Sequence, residues 1–428
     1  MRNNIQLRVL LLLLLSLLYS CSTTMIAPVT SLTTVNAAAA QNKPYVILIS
    51  LDGFRWDYVD KYKPPHLTEF IEGGVKAQSL IPAFPSKTFP NHYSIATGMY
   101  PDNHGIIGNI FYSYEKDATY KLSDRSTVTD GTFYKGTPLW IQANNAGMVT
   151  ASYFFVGTEA NIQGIHPTYY YNYDASVSNE TRVDQVIDWL DLPAAERPHF
   201  ISMYFSDMDN TGHRYGPNND AELKKSLFAL DIVLGDLFKR VKDTELPVQL
   251  VIVSDHGMLE VPLEKYIPTE SVKNDALYTT IDNGTIVSIH PKNDGKIENI
   301  FNQLQKKANH FSVYKTKDTP HFEKTPTSKN WGPIQIIPDP GFYFSSTRSI
   351  EARKASSRKV FGHHGFDPKL KEMHGIFYAQ GSAFKEGYTQ PSIQNIHVYP
   401  LICKLLDMDI PKGIDGELNV VQGVLKEN

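Results

Sequence analysis

The chain has little cysteine. Cys21 and Cys403 are the two present in 428 residues, and loss or acylation of Cys21 would rule out any intrachain disulfide. Such a protein must rest on its core and on any bound metal. Cys403 lies within the apolar pattern Val398, Leu401, Ile402, Leu405 and Leu406, which reads as core. Basic charge is not in excess: 41 Lys and Arg against 45 Asp and Glu give a net charge of -4. That removes the electrostatic reason to expect duplex DNA or RNA, whose backbones need clustered cations. Small nucleotides stay open, because metal ions can hold them. Internal repeats are missing too, and the apolar run from Val9 to Leu18 is short of the roughly 20 residues of a spanning helix.

That run follows Arg2 and Arg8 and has the length of a signal-peptide core. Leu18-Tyr19-Ser20-Cys21 resembles a bacterial lipobox, and Asn36-Ala37-Ala38-Ala39-Ala40 offers an ordinary cleavage site instead. The expectation is an export signal over residues 1–21, a flexible tether over 22–42 and a single catalytic domain over 43–428. The protein is then exported, either periplasmic or anchored at the bacterial cell envelope through lipidated Cys21, and a monomer.

Tyr45 to Ser50 is a continuous apolar run suited to a strand buried on both faces, and similar runs recur at 149–155, 200–205 and 248–253. Between them lie helical stripes, such as Leu223, Leu227, Leu230, Leu234, Leu237 and Val241. Such alternation predicts an α/β domain with a mainly parallel central sheet and helices on both faces. Residues 277–346, richer in Pro, Asn and Lys, read as a less regular insertion or cap.

Acids fall at the ends of these strands. Asp52-Gly53 follows the first, Asp255-His256-Gly257 follows the run at 248–253, and Asp207 and Asp209 follow the run at 200–205, with His213 just beyond. Open parallel sheets bind ligands outside the carboxyl ends of their strands. Acids gathered there repel one another unless a cation lies between them. One such Asp is ordinary turn chemistry; three, two of them with nearby His, favour paired metal ions. Asp and neutral His suit zinc. Asp207 to Gly212 also resembles the opening of a calcium loop, but the twelfth position is Asn218 where Glu is required. Gly362-His363-His364-Gly365 supplies a further histidine.

Thr88 lies just ahead of Pro90, which is suited to the first position of a helix. Backbone N–H groups there favour a phosphate or an alkoxide. Thr88 or Ser86 as a plain helix cap explains the pattern equally well, unless a metal activates the hydroxyl.

Together these segments resemble the nucleotide pyrophosphatase/phosphodiesterase family of the alkaline phosphatase superfamily, over about Tyr45 to Gln422. The resemblance rests on Ser50-Leu51-Asp52-Gly53-Phe54-Arg55, Lys87-Thr88-Phe89-Pro90-Asn91-His92, Gly105-Ile106-Ile107-Gly108-Asn109, Asp209-Asn210-Thr211-Gly212-His213, Ser254-Asp255-His256-Gly257-Met258 and His364-Gly365-Phe366-Asp367. It implies two zinc ions, one on Asp209, His213 and His364, the other on Asp52, Asp255 and His256 with Thr88. It also implies that Thr88 is the nucleophile, passing through a covalent threonine-phosphate ester, and that Asn109 donates to a phosphate oxygen. Nucleotide phosphodiester or pyrophosphate bonds are the implied substrates and nucleoside 5'-monophosphates the products. Phe89 and an aromatic of Tyr169-Tyr170-Tyr171 match the residues that sandwich the base, with Tyr170 the choice by position. A single-domain member without the extra domains of larger animal relatives is expected.

Rival readings are a phosphomonoesterase or choline-phospholipid headgroup hydrolase of the same superfamily and, more distantly, a non-catalytic surface lipoprotein. No Cys/Ser-x-Pro-x-Arg sulfatase motif surrounds Thr88.

Overall fold

The computed structural model describes residues 29–30 and 34–427. A nine-stranded sheet organises the chain. Its strands are β1 (Val29–Thr30), β2 (Tyr45–Leu51), β3 (Val75–Ala77), β4 (Thr150–Tyr153), β5 (Tyr169–Tyr171), β6 (Phe200–Phe205), β7 (Val248–Val253), β8 (Phe377–Gln380) and β9 (Tyr388–Gln390). The spatial order is β1-β5-β4-β6-β2-β7-β8-β3-β9. The central strands β5-β4-β6-β2-β7 are all parallel, and β8 closes against β7 in antiparallel pairing. The expected α/β fold with a mainly parallel sheet is therefore present.

β2, β6 and β7 are buried along their whole length, as their mostly apolar sequences require; the one polar residue in each, Ser50, Ser202 and Gln249, is buried with them. Odd and even residues of β2 serve different layers. Val46 and Leu48 pack into one hydrophobic cluster, while Ile47, Ile49 and Leu51 pack into another with Leu223, Leu227, Leu230, Leu234 and Leu237 of the helix Asp220–Asp243. Among the described residues, no helix is long and apolar enough to cross a membrane.

Two expectations change. The stretch read as a tether is, where described, attached to the domain. Val29–Thr30 adds an antiparallel edge to β5, and buried Asn36 donates to the carbonyls of Ala194 (2.9 Å) and Arg197 (2.7 Å) while accepting the Val149 N–H at 2.6 Å. One amide satisfying three backbone groups docks the chain where its Ser/Ala-rich composition shows no apolar pattern. The export signal and Cys21 lie outside the described residues.

The insertion is also more regular than its composition suggests. Tyr278–Asp282, Val287–Pro291, Ile334–Pro338 and Phe311–Lys315 form a four-stranded antiparallel sheet covered by the helix Ile297–Gln305. This unit has its own core around Val287, Ile289, Ile300, Leu304, Ile334 and Ile336. Its strands are five residues each, short enough for intervening polar loops to dominate the local composition.

Candidate functional site

Because β6, β2 and β7 are neighbours, their carboxyl ends deliver Asp209, Asp52 and Asp255 to one place. The backbone joins them closely: Asp52 N–H donates to Phe205 O at 2.8 Å, and Asp209 N–H to Asp52 O at 3.1 Å. Gly53 permits this approach. It has a φ of +63°, and a Cβ there would lie 2.7 Å from Asp209 Cα. Asp209 and His213 are one turn apart on the helix Asp207–Tyr215, with His213 Nε2 3.3 Å from Asp209 Oδ1. Asp207 stays out of the cluster, accepting Asn179 Nδ2 at 3.0 Å.

His364 arrives from a strand, Val360–His363, that pairs with Leu259–Pro262 just after His256. Its ring stacks on that of His256, with centroids 3.5 Å apart. Neighbouring His363 faces the other way, bonded to Tyr266 Oη at 2.5 Å and stacked on Tyr343. The pleat thus decides between the two histidines.

Two groups of potential metal ligands result, Asp52–Asp255–His256 and Asp209–His256–His364, each with ligand atoms within 4.8 Å of one another. His256 belongs to both. His213 stands beside the second through Asp209. All six acids and histidines expected from the sequence are thus gathered at one sheet edge.

Three features suit this cluster to cations. Asp52 Oδ1, Asp209 Oδ1 and Asp255 Oδ2 are buried with no hydrogen-bond partner, a costly state that a bound cation would relieve. Next, each histidine has Nδ1 on a backbone carbonyl: His256 on Gly257 O (2.8 Å), His364 on Ser86 O (2.9 Å) and His213 on Gly362 O (2.8 Å). A carbonyl only accepts, so Nδ1 carries the hydrogen and Nε2 turns its lone pair inward. Finally, burial, then repulsion from neighbouring acids (Asp255 and Asp209 on Asp52, Asp209 on Asp255), pushes Asp52 and Asp255 well above the usual carboxylate range, and burial drives His256 and His364 well below the histidine range. Crowded acids and neutral imidazoles with inward lone pairs are the donor set that divalent cations favour.

Thr88 opens the helix Thr88–Thr97, two residues earlier than Pro90 implied. Pro90 sits in the first turn, where its lost N–H costs nothing. Neither hydroxyl considered for capping performs it: Ser86 Oγ donates to Phe366 O at 2.8 Å, and the helix has no side-chain cap. Thr88 Oγ1 instead lies 3.2 Å from His256 Nε2, at the junction of the two ligand groups. His92, one turn along, has Nδ1 2.9 Å from Thr88 O and Nε2 2.8 Å from Ser50 Oγ, which ties the helix to β2. Asn109 Oδ1 accepts the Phe89 N–H at 3.1 Å, so the NH2 group is the half of this amide that can donate to a ligand.

The structure moves one expected residue away. Tyr170 is buried within β5, its ring stacked on His166 at 4.7 Å, so it offers no face to a base. Tyr173, two residues past the strand end, is 45% exposed. Its ring is 6.2 Å from that of Tyr204, whose hydroxyl donates to Asp52 Oδ2 at 2.6 Å. Sequence reasoning missed both Tyr173 and Tyr204.

An open α/β sheet with acids and histidines converging on an uncapped threonine defines a hydrolase of the alkaline-phosphatase-like class. Comparison with known proteins agrees. The model of the type I phosphodiesterase / nucleotide pyrophosphatase family matches residues 46–367, and the chain belongs to that family. Human ectonucleotide pyrophosphatase/phosphodiesterase family member 5 is 32% identical over 85% of this chain and 74% of its own length. Mouse family member 1 is 33% identical over 93% of this chain, which spans 44% of that longer protein. The structure of inactive murine family member 5 (a Thr→Ala variant) in complex with AMP superposes with a TM-score of 0.81 at 30% identity, covering 90% of this chain and all (100%) of that one.

Proposed function

We propose that this protein is an exported, two-zinc phosphodiesterase that cleaves phosphodiester or pyrophosphate bonds of nucleotides and releases nucleoside 5'-monophosphates. The observation that carries this is Thr88: a hydroxyl at a helix start that caps nothing and lies 3.2 Å from His256 Nε2, where two ligand groups meet that contain three unpaired carboxylate oxygens. Asp52, Asp255 and His256 would hold one ion, and Asp209, His213 and His364 the other, with His256 close to both. The ions would supply the positive charge that favours the Thr88 alkoxide and offsets charge on the reacting phosphate.

The chain's own groups supply the rest. Thr88 Oγ1 forms a bond to phosphorus as the bond to the leaving oxygen breaks, giving a threonine-phosphate ester that water then hydrolyses. The Asn109 NH2 donates to a phosphate oxygen. Its carbonyl is occupied by the Phe89 N–H, so the positive end of the helix acts on the phosphate through Asn109. Phe89 and Tyr173 supply the aromatic faces for a base. The AMP held by the inactive murine relative supports a nucleotide as the ligand.

Thr88→Ala tests the reading. Turnover of a nitrophenyl ester of a nucleoside monophosphate should be lost while the protein still binds close to two zinc ions. Wild-type turnover in that variant refutes the covalent route. A preference for nitrophenyl phosphate over the nucleotide ester would move the enzyme to the monoesterases.

A further inference from the structure

The first hairpin of the insertion turns through Asn283, Gly284 and Thr285 between its strands Tyr278–Asp282 and Val287–Pro291. We propose that Asn283 is a positioning residue for catalysis: it fixes Asn109, and through it the start of the nucleophile helix. The proposal rests on the reading of Asn109 as the phosphate-oxygen donor.

Asn283 spans the gap between insertion and site with a paired amide contact. Its Oδ1 accepts the Ile110 N–H at 3.1 Å, and its Nδ2 donates to Ile110 O at 2.8 Å. Both polar groups of the residue after Asn109 are thereby held, as a neighbouring strand would hold them. On the other side, Asn109 O accepts the Leu122 N–H at 2.9 Å, at the open end of the hairpin formed by Ile110–Ser113 and Ala118–Lys121. Asn109 is fixed from both directions. Its amide then meets Phe89 N at 3.1 Å, one residue from the nucleophile. A continuous path runs from Asn283 through Ile110, Asn109 and Phe89 to Thr88.

Ordinary turn chemistry does not explain Asn283. The turn is closed by other groups: Asp282 Oδ1 accepts the Gly284 N–H at 2.7 Å, and the backbone N–H of Asn283 donates to Ile286 O at 3.0 Å. Both side-chain bonds of Asn283 leave the hairpin for Ile110. Gly108 leaves room for the amide, since a Cβ there would lie 3.2 Å from Asn283 Nδ2.

A positioning group needs a rigid support. Asp102 provides it by gathering the far loop of the insertion, accepting from Thr327 N (2.9 Å), Thr327 Oγ1 (2.7 Å), Ser328 N (2.9 Å) and Trp331 Nε1 (2.9 Å). The same turn presses on the metal-ligand loop. Thr285 Oγ1 lies where a Cβ on Gly365, the residue after His364, would come within contact, and Gly365 has a φ of +105°. The insertion is therefore built into the site on two sides.

A double-mutant cycle separates positioning from general support. Asn283→Ala, Asn109→Ala and the double variant are compared by kcat and KM on a nitrophenyl ester of a nucleoside monophosphate, alongside melting temperature and zinc content. Loosening Asn109 by a fraction of an ångström to an ångström should lower kcat about 10- to 100-fold, with KM and zinc content little changed. In the Asn109→Ala background the same change should cost less than about twofold, because the group it positions has gone. Equal losses in both backgrounds, or full kcat in Asn283→Ala, would overturn the proposal. Wild-type kcat in Asn109→Ala would remove the phosphate-donor reading itself, and the positioning role with it. Should Asn283→Ala fold poorly, Asn283→Ser takes its place in the cycle with the same outcomes.

Discussion

Tyr204→Phe removes one hydrogen-bond donor from the proposed metal centre and little else. The Tyr204 hydroxyl donates to Asp52 Oδ2 at 2.6 Å, while its ring packs edge-on to His92 with centroids 5.4 Å apart, a contact phenylalanine keeps. Hydrogen bonds to charged groups contribute about 1.5–3 kcal/mol. At about 1.4 kcal/mol per tenfold, the Asp52–Asp255–His256 group should bind its ion about 10- to 150-fold more weakly. Loss of an outer hydrogen bond to a ligand independently suggests about 10- to 100-fold. A proton competes in the same direction. Burial, then Asp255 and Asp209, already raise the Asp52 pKa, and the Tyr204 hydrogen bond opposes them. Without it Asp52 holds its proton to higher pH, so the loss should be larger at pH 6 than at pH 8. Competition with a chromogenic chelator at both pH values measures this, and the Asp209 group provides the internal reference. Unchanged affinity, or equal weakening of both ions, would refute the assignment of Tyr204 and Asp52 to one metal group.

Other expectations are more direct. Exhaustive chelation should abolish turnover and lower the melting temperature, because it restores three unpaired buried carboxylate oxygens; zinc should reverse both effects, and activity surviving verified metal removal would reject the mechanism. Tyr173→Ala should raise KM for a nitrophenyl nucleotide ester about 5- to 30-fold, for a stacking loss of roughly 1–2 kcal/mol, and leave hydrolysis of a nitrophenyl ester without a base little changed. Tyr170→Phe, which keeps the His166 stack, should alter neither. His290, buried in the insertion, has its pKa lowered by burial to about 4. Since the unfolded chain takes up that proton near pH 6.5, the stability associated with neutral His290 is present above that pH and is lost as pH falls towards 4. Denaturant titrations at pH 7 and pH 4 should show wild type losing about 2–3 kcal/mol more than His290→Gln; equal losses would reject the assignment.

How far the sequence reveals the site depends on whether a residue's task is local. Asp52 and Asp255 were legible because a buried strand announces itself, and the acid follows at its end. His364 was legible as one of a pair, and the pleat that turns His363 toward Tyr266 decides between them. Asn36 and Asn283 were not legible. Each acts through an amide on backbone groups far away in sequence, and an isolated Asn in a polar segment looks the same whether it docks or faces water. The insertion was obscured for a related reason: its core is spread over short strands, and the loops between them set the composition.

The position of Tyr173 follows from the same geometry that gathers the acids. A residue inside a parallel strand points into one of the two covering layers, so Tyr169 and Tyr171 face the helix carrying Trp189, while Tyr170 faces His166. Only a residue past the carboxyl end can reach the ligand edge. Asp52 is one residue beyond β2, Asp255 two beyond β7, and Tyr173 two beyond β5. Position within the run Tyr169-Tyr170-Tyr171 favours its centre, yet the rule that places the acids passes over all three. It selects the first aromatic past the strand end, and in this chain that residue is Tyr173.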